Sequence, residues 1–516
     1  MAFGLDLLGG SGGGNGPVAV IDIGSNSLRL VVYDRIDPAP IPLFNEKVLC
    51  GLGRGLGTTG RLNPEGVVLA LATLQRFVAL AHSIGARRLD VIATAAVRDA
   101  ADGPDFAARV EKSCGIRIAV LDGESEGRLS ALGVLAGIPD ADGLMGDMGG
   151  GSVELVPIAA GRPGASVSLP IGPLRVAEWS GNERRLREIV DQHIASVAGL
   201  DWARGRSFYL VGGAWRALAR IHMEHTGYPL HVIQQYTVNR LDAEGFLQLV
   251  GSQSRKSLEK VGGISKKRLE NVPLSAYILG RLLRHVEPRQ LVFSAEGLRE
   301  GFIRSLLPLS EQARDPLLAA CARMAASYRR FGADGREMLD WCSPLLADGN
   351  PERRRLRLAA ALISDIAWNE HPDYRAEQAY MRVLRMPVGG IDHAGRVFVA
   401  TTLHARYGGP ADAAIRHGPS RLLSEDAAAE ARTLGLALRL GYTLSGGAPG
   451  VVGRTSLDMV DRELVLTMPE DIAPLVGESV QRRLDALSRQ FGCRGTITVA
   501  APSPPAPPLR AGARRA

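Results

Sequence analysis

Short apolar runs alternate with helix-like stretches from residue 17 to about residue 307. Residues 18–21 and Leu28–Tyr33 are rich in β-branched side chains and enclose a Gly/Ser/Asn turn, which predicts a β-hairpin. Asn63 caps a predicted helix that runs to Ile84 and ends at Gly85. The same patterns predict strands at 89–93, 116–121, 144–147, 153–157, 208–211 and 291–294, and helices at 124–135 and from residue 295. Strands that feed helices through glycine-rich turns are typical of α/β domains that bind ligands at the strand ends.

The pattern changes after about residue 310. Long Ala/Leu/Arg stretches carry a helical period without strand alternation as far as residue 445, which predicts an all-helical domain. Beyond it, an amphipathic helix near 478–489 lies between two short strands and predicts a small α/β piece. The predicted divisions are a flexible leader at 1–16, α/β domains at 17–135 and 136–309, a helical domain at 310–445, an α/β piece at 446–501 and a disordered tail at 502–516.

One loop occurs twice in the α/β part of the chain. Residues 22–30 read Asp-Ile-Gly-Ser-Asn-Ser-Leu-Arg-Leu, and residues 147–155 read Asp-Met-Gly-Gly-Gly-Ser-Val-Glu-Leu. Asp, Gly, Ser and Leu recur at matching places, and each copy lies between two apolar strands. A repeat in the same structural context predicts two α/β domains of common design that face one another.

The repeated loops have the chemistry of a phosphate site. Their polar members are Asp22, Ser25, Asn26, Ser27 and Arg29 in the first copy and Asp147, Ser152 and Glu154 in the second. Glycines let successive backbone N–H groups surround an anion, and the serines add hydroxyl donors. The aspartate in each copy can hold Mg²⁺ directly or through water. The copies differ in one useful respect, because Arg29 offers a cation whereas Glu154 offers a carboxylate to a metal or a water.

The net charge is +7, from 61 basic and 54 acidic residues, which is mild for 516 residues. Charge alone slightly favours a solvated surface over a polyanionic partner. One basic segment could nevertheless guide a long polyanion, and its residues are Arg255, Lys256, Lys266, Lys267 and Arg268.

Composition narrows the class of protein and its compartment. The five cysteines are dispersed without a CxxC spacing, which indicates reduced thiols in a cytoplasm and excludes a disulfide framework or a zinc site. The apolar runs are interrupted before they reach the length of a membrane span, and the Gly-rich start has no basic residue before its short apolar stretch. We therefore expect a cytoplasmic protein with no membrane partner and no specific nucleic acid.

Further motifs join the two loops in a family resemblance. They are Ala93-Thr-Ala-Ala-Val-Arg-Asp-Ala100, Gly123-Glu-Ser-Glu-Gly-Arg-Leu129, Val211-Gly-Gly213 and Ser294-Ala-Glu-Gly-Leu-Arg-Glu-Gly301. Together they resemble the exopolyphosphatase and guanosine pentaphosphate phosphohydrolase family, within the actin- and hexokinase-like superfamily. The resemblance implies two actin-like (ribonuclease H-like) domains with the active site in the cleft between them.

The resemblance also implies roles for single residues. Glu126 matches the second Glu of the family's Glu-Glu-Ala-Arg pattern and would be the general base, although acidic residues also favour helix N-termini through the helix dipole. Arg98 matches a phosphate-binding arginine, with an ion pair to Asp99 or Asp102 as the alternative. The implied phosphate-binding set is Ser25, Asn26, Ser27, Arg98, Gly149, Gly150 and Ser152, and the implied Mg²⁺ set is Asp22, Asp147 and Glu154. Glu154 would also act on the nucleophilic water, and K⁺ is a candidate second cation.

The chain departs from the family pattern at several places. Ser125 and Gly127 replace a Glu and an Ala beside the general base, Arg54 replaces a Glu, and Ala214 replaces the Thr of Gly-Gly-Thr. The helical domain resembles the HD-like domain of long family members. Its His-Asp pair reads Ser-Asp at residues 364–365, so we expect no metal there but a dimerisation surface and a wall for a long substrate.

The predicted function is release of terminal phosphate from inorganic polyphosphate by a homodimeric exopolyphosphatase. Three alternatives stay open at the level of sequence. The first is removal of the terminal phosphate of guanosine pentaphosphate, the second is a kinase with the same paired loops, and the third is a non-catalytic polyphosphate-binding regulator.

Overall fold

The computed structural model describes residues 16–252, 271–328, 335–347, 349–410 and 418–500. The basic segment 255–268, the tail 502–516 and all but the last residue of the leader 1–16 lie outside these ranges. The chain divides into two compact units. The first comprises Met1–Ala319 with Val388–Asp392, and the second comprises Ala320–Pro387 with His393–Ala516.

Two mixed β-sheets form the framework of the first unit. The first sheet has the strand order β3-β2-β1-β4-β5, and its strands are β1 Val18–Ile23, β2 Leu28–Tyr33, β3 Pro42–Val48, β4 Arg88–Ala93 and β5 Ala119–Val120. The second has the order β11-β12-β10-β6-β7-β8 with β9 beside β7, and its strands are β6 Gly143–Met148, β7 Val153–Ala159, β8 Arg162–Pro163, β9 Val167–Leu169, β10 Ser207–Val211, β11 Tyr236–Asn239 and β12 Gln290–Phe293.

The sequence repeat is also a repeat of topology. In the first sheet an antiparallel hairpin, β1–β2, has the parallel strand β4 on its other side. In the second sheet the hairpin β6–β7 has the parallel strand β10 in the same place. Asp22 lies opposite Arg29 across one hairpin and Asp147 lies opposite Glu154 across the other, so the repeated residues occupy equivalent positions.

Helices cover both faces of these sheets. Those up to residue 312 are α1 Leu56–Thr59, α2 Pro64–Ser83, α3 Ala95–Asp99, α4 Gly103–Cys114, α5 Gly123–Gly137, α6 Pro173–Val176, α7 Glu183–Ala195, α8 Gly213–His225, α9 Arg240–Ser252, α10 Val272–Val286, α11 Leu298–Ser305 and α12 Leu309–Gln312. One core joins α2 and α4 to the first sheet, and another joins α7, α8 and α10 to the second. Buried side chains of α11 pack on the opposite face of the first sheet, and those of α5 pack on the second.

Among the described helices, α2 alone combines a length and an apolar composition that could cross a membrane. Eight of its residues, including Leu74 and Phe77, are nevertheless buried. Six of these eight belong to the core of the first sheet, so α2 is a core helix of this unit.

The second unit is helical with one small sheet. Its helices are most of α13 Pro316–Tyr328, then α14 Gly335–Cys342, α15 Pro351–Leu362, α16 Arg375–Leu384, α17 His393–Arg406, α18 Glu425–Ser445 and α19 Glu478–Ser488. Strands β13 Ser456–Val460, β14 Glu463–Pro469 and β15 Arg494–Ala500 form the sheet, in which β14 pairs antiparallel with β13 and parallel with β15. Helix α19 connects β14 to β15 and packs on β15. Parallel neighbouring strands need such a crossover connection.

Two predicted boundaries were wrong, and some strands were missed. The helix predicted from Ala295 begins at Leu298, because the Ser294 hydroxyl accepts the N–H of Glu296 and stabilises a turn in place of helix. The strand predicted over 116–121 is reduced to Ala119–Val120, which pairs only with the end of β4. The exposed edge strands β3 and β13 were missed because one face of each contributes little to a core. The divisions into six segments and the HD-like assignment stay predictions.

Candidate active site

The two repeated turns line one cleft of the first unit. In each, the N–H of the glycine after the strand donates to the carbonyl of the serine three residues later, at 3.0 Å from Gly24 to Ser27 and at 3.0 Å from Gly149 to Ser152. The cleft has a volume of about 220 Å³. A Cβ on Gly150 would lie 3.2 Å from the Cβ of Ser25, so the turns approach each other closely where glycine leaves room.

The structure brings most of the predicted site residues to this cleft. They are Asp22, Ser25, Asn26, Ser27, Glu126, Asp147, Gly149, Gly150 and Ser152. Glu154 lies just behind it and is 1% exposed. Arg98 lines a neighbouring cavity, which meets the cleft at Ser152.

Glu126 is held in the first turn of α5. The side chain of Asp122 accepts the N–H of Ser125 and caps the helix, and the Glu126 carboxylate accepts a 2.8 Å hydrogen bond from Nη1 of Arg98. Burial raises the pKa of Glu126 to about 7, against the lowering effect of Arg98, and Asp147 adds repulsion. A carboxyl with this pKa is suited to accept a proton near neutral pH.

Two more carboxyl groups, half-buried in Asp147 and buried in Glu154, lie near Glu126. Asp147 accepts the hydroxyl proton of Ser130, and Glu154 accepts that of Ser168 at 2.9 Å. Burial raises the pKa of both, and the charges of Glu126 and Asp147 raise that of Glu154 further. This repulsion favours an added cation. Within the described residues, however, His, Cys, Asp and Glu side chains do not gather in threes as a ready-made metal site.

Three arginines, Arg29, Arg216 and Arg299, also line the cleft. Arg299, from the first turn of α11, donates from Nη1 to Asp22 at 2.8 Å. Arg216, from α8, donates from Nε to the carbonyl of Ser294 at 2.9 Å. Burial, and then the charge of Arg299, lower the pKa of Arg216 to about 10 and also lower that of Arg29. Like charges that gather around a cleft indicate an anion-binding surface.

Of these three arginines, sequence reasoning missed Arg216 and Arg299 as site residues. Arg299 lies inside the Ser294–Gly301 motif, so its neighbourhood was noted although its role was not. Arg216 follows the second Gly-Gly element on an ordinary helical pattern, and only the tertiary structure brings it to the cleft.

Arg98 forms ion pairs in this structure. It donates to Glu126 at 2.8 Å, to Asp99 at 3.1 Å and to the Leu121 carbonyl at 3.1 Å. Asp102, the other acid considered from the sequence, lies 3.6 Å from Arg61. The ion pair with Asp99 is therefore present, and the pair with Glu126 was not foreseen. Phosphate binding by Arg98 stays a prediction.

Comparison with known proteins gives the family. Residues 31–310 match the family described as "Ppx/GppA phosphatase family". The chain belongs to this family. Residues 317–498 match a second family, described as "Exopolyphosphatase, C-terminal". The predicted family and the predicted class of enzyme, a phosphoanhydride hydrolase, are thereby confirmed.

Individual proteins and a solved structure are similar to this chain. "Exopolyphosphatase 1" of Mycobacterium tuberculosis is 29% identical over 331 residues, which cover 61% of this chain and 94% of that protein. "Retrograde regulation protein 2" of Saccharomyces cerevisiae is 25% identical over 436 residues, covering 76% and 72% respectively. The crystal structure of an exopolyphosphatase from Cytophaga hutchinsonii is 25% identical with a TM-score of 0.51, and the match covers 55% of this chain and 96% of that one. These similarities confirm the α/β, actin-like fold predicted for the first unit.

Proposed function

We propose that this member of the Ppx/GppA phosphatase family is an exopolyphosphatase, which hydrolyses the terminal phosphoanhydride bond of inorganic polyphosphate. The observation that carries the proposal is one cleft with phosphate-binding turns, three arginines and a buried carboxyl whose pKa is about 7. The name of the M. tuberculosis relative describes the same activity.

The chemistry follows from this arrangement. The terminal phosphoryl group accepts hydrogen bonds from the backbone N–H groups of residues 150–152 in the second turn, and the arginines bind its neighbouring oxygens. Glu126 orients a water molecule and takes its proton as the water oxygen bonds to the terminal phosphorus. The P–O bond to the bridging oxygen breaks, and the shortened chain leaves with that oxygen and its electron pair. Most of the rate enhancement comes from positioning and charge stabilisation.

Mg²⁺ fits the carboxylate side of the cleft. Protein Mg²⁺ sites commonly use one or two carboxylates and complete the octahedron with waters and substrate phosphates, so a ready-made three-carboxylate site is not required. Asp147 and Glu154 would hold the ion, because burial raises the pKa of both, the charges of Glu126 and Asp147 raise that of Glu154 further, and a bound cation would stabilise the ionised carboxylates. Asp22, the third predicted ligand, is already paired with Arg299. When bound, the ion would neutralise charge on phosphate oxygens.

Replacing Glu126 tests the proposal. We expect Glu126→Gln to lower kcat for phosphate release from long-chain polyphosphate by about 100-fold or more, the usual contribution of a general base. Glu124→Gln is the matched control, because Glu124 lies in the same first turn of α5 but its side chain is exposed. We expect it to stay within about twofold of wild type, since its side chain is solvated. If the Glu126→Gln enzyme retains a kcat within a few-fold of wild type, the assignment of Glu126 as the base is overturned.

A direct comparison of substrates decides between the two activities considered for the family. We expect kcat/KM to be higher for long-chain polyphosphate than for guanosine pentaphosphate, each measured with and without Mg²⁺. The reverse order would make the protein a guanosine pentaphosphate phosphohydrolase. Tight binding of polyphosphate without any turnover would indicate the non-catalytic regulator.

A further inference from the structure

A row of three polar residues crosses the second sheet. Strands β6 and β7 place Asp147 directly opposite Glu154, and strands β7 and β9 place Glu154 directly opposite Ser168. Residues that lie opposite each other on antiparallel strands project from the same face of the sheet, with their Cβ atoms about 4.5–5.5 Å apart. The row therefore presents two carboxylates side by side, with a hydroxyl group next to that of Glu154.

Helix α5 covers this row and adds a second hydroxyl group. Its buried side chains pack on the same sheet, and Ser130 is 0% exposed. Ser130 follows Glu126 by four residues, so both side chains lie on one side of the helix. The Ser130 hydroxyl donates to Oδ2 of Asp147. The helix that carries the proposed base therefore also holds one of the two carboxylates.

Two glycines of α5 let strand β9 approach the helix. A Cβ on Gly123 would lie 2.7 Å from the Cβ of Ser168, and a Cβ on Gly127 would lie 2.0 Å from Oγ of Ser166. Gly127 stands where the family pattern has alanine, so this departure gives the start of β9 room beside the helix. From this position the Ser168 hydroxyl donates to Oε1 of Glu154 at 2.9 Å.

Each hydroxyl group fixes the orientation of one carboxylate. The hydrogen bond occupies Oδ2 of Asp147 or Oε1 of Glu154, so the other oxygen of each group can bind a cation. Groups that hydrogen-bond to a metal's carboxylate ligands orient those ligands, and the loss of one such group typically lowers metal affinity by about 10–100-fold.

We propose that Ser130 and Ser168 are positioning residues, which hold the carboxylates of Asp147 and Glu154 in the orientation that binds one shared Mg²⁺. The inference rests on the proposed binding of Mg²⁺ by these two carboxylates. Neither serine lines the cleft, so each acts through the carboxylate to which it donates.

Binding of Mn²⁺ to the full chain, without substrate, tests the inference. Mn²⁺ takes the same carboxylate and water ligands as Mg²⁺, and the electron paramagnetic resonance signal of the free ion reports its concentration. We expect Ser130→Ala and Ser168→Ala each to raise the dissociation constant of the tightest Mn²⁺ site by about 10–100-fold. Asp147→Asn, which removes a ligand, should weaken this site at least as much.

Phosphate release at rising Mg²⁺ concentration separates a positioning role from damage to the fold. In both serine variants the Mg²⁺ concentration for half-maximal activity should rise by about the factor found for Mn²⁺. The rate should recover as the site fills, whereas Mg²⁺ would not reverse damage to the fold. If Ser130→Ala fails to fold, Ser168→Ala carries the test, because Ser168 is exposed apart from its hydroxyl contact.

Ser166→Ala is the matched control, because Ser166 lies two residues from Ser168 but donates to the carbonyl of Gly123, at 3.3 Å. It should bind Mn²⁺ within about twofold of wild type. If both serine variants bind Mn²⁺ as Ser166→Ala does while Asp147→Asn does not, the positioning role is refuted and the proposed hydrolysis stands. If Asp147→Asn also binds Mn²⁺ as the wild type does, the metal site is wrong and the positioning role is refuted with it, while Glu126→Gln still decides the hydrolysis.

Discussion

At the scale of single residues, the Glu126–Arg98 pair controls when the proposed base is ionised. Burial raises the pKa of Glu126, whereas the hydrogen bond and charge of Arg98 lower it. A general base works in its ionised form, so activity rises with pH through its pKa, and an acid limb near pH 7 is expected for the wild-type enzyme. Arg98 thus acts on the reaction through Glu126, whatever it contributes to phosphate binding.

Removing Arg98 should therefore move the acid limb. In Arg98→Gln the pKa of Glu126 loses its largest lowering influence, so the acid limb of kcat shifts to higher pH and activity at pH 6 falls by about tenfold or more. The measurement is kcat against pH for polyphosphate hydrolysis. Arg128→Gln, an exposed position on the same helix, should leave the limb in place. An unchanged limb in Arg98→Gln, with only KM raised, would make Arg98 a substrate-binding residue without influence on the base.

Some residues of the site could be predicted from the sequence and others could not. Glu126, Asp147 and the two turns were predictable, because each lies in a local motif whose chemistry can be read along the chain. Arg216 was not, since an arginine on an amphipathic helix is ordinary and only folding brings it to the cleft. The ion pair of Arg299 with Asp22 joins residues 277 positions apart, and no local pattern encodes it.

At the scale of elements, the site depends on the contact between α5 and α11. Helix α5 carries Glu126 and Ser130, and α11 carries Arg299. The helices touch through glycines: a Cβ on Gly301 would lie 1.7 Å from the Leu129 carbonyl oxygen, and one on Gly133 would lie 2.1 Å from that of Gly297. Neither obstacle is a flexible side chain, so the backbones themselves would have to separate.

We accordingly expect Gly301→Ala to destabilise the first unit by about 3 kcal/mol and to lower kcat/KM strongly, because overpacking displaces Arg299 from Asp22. Thermal unfolding and the polyphosphate assay measure the two effects. The matched control is Gly280→Ala on α10, where a Cβ would meet no atom within 4 Å. It should be neutral or stabilising by about 0.5–1 kcal/mol, since alanine favours the helix. Equal behaviour of the two variants would show that the α5–α11 contact is not tight.

At the scale of the whole molecule, the net charge of +7 attracts a polyanionic substrate. We expect kcat/KM for long-chain polyphosphate to fall steeply as salt rises from 50 to 200 mM (about tenfold or more), while tripolyphosphate is less affected. The basic segment near residues 255–268 lies outside the described residues but carries the predicted track.

Replacing Lys266, Lys267 and Arg268 together by Gln should weaken the salt dependence and lower kcat/KM for long chains at 50 mM salt by about tenfold. The control replaces three exposed arginines of α7, at 184, 185 and 187, and removes the same charge elsewhere. If both triple variants lose activity equally, net charge and not a track attracts the substrate.

Sequence alone determined the repeated turns, the α/β class, the family and most of the carboxylate side of the cleft, because these rest on short-range patterns and on motifs within one loop. The tertiary structure decided which charges meet. It paired Asp22 with Arg299, turned Arg98 toward Glu126 and gathered Arg29, Arg216 and Arg299 at one cleft. The reason is physical: a pKa or an ion pair depends on distance and burial, and residues far apart in the chain acquire both only when helices and sheets pack.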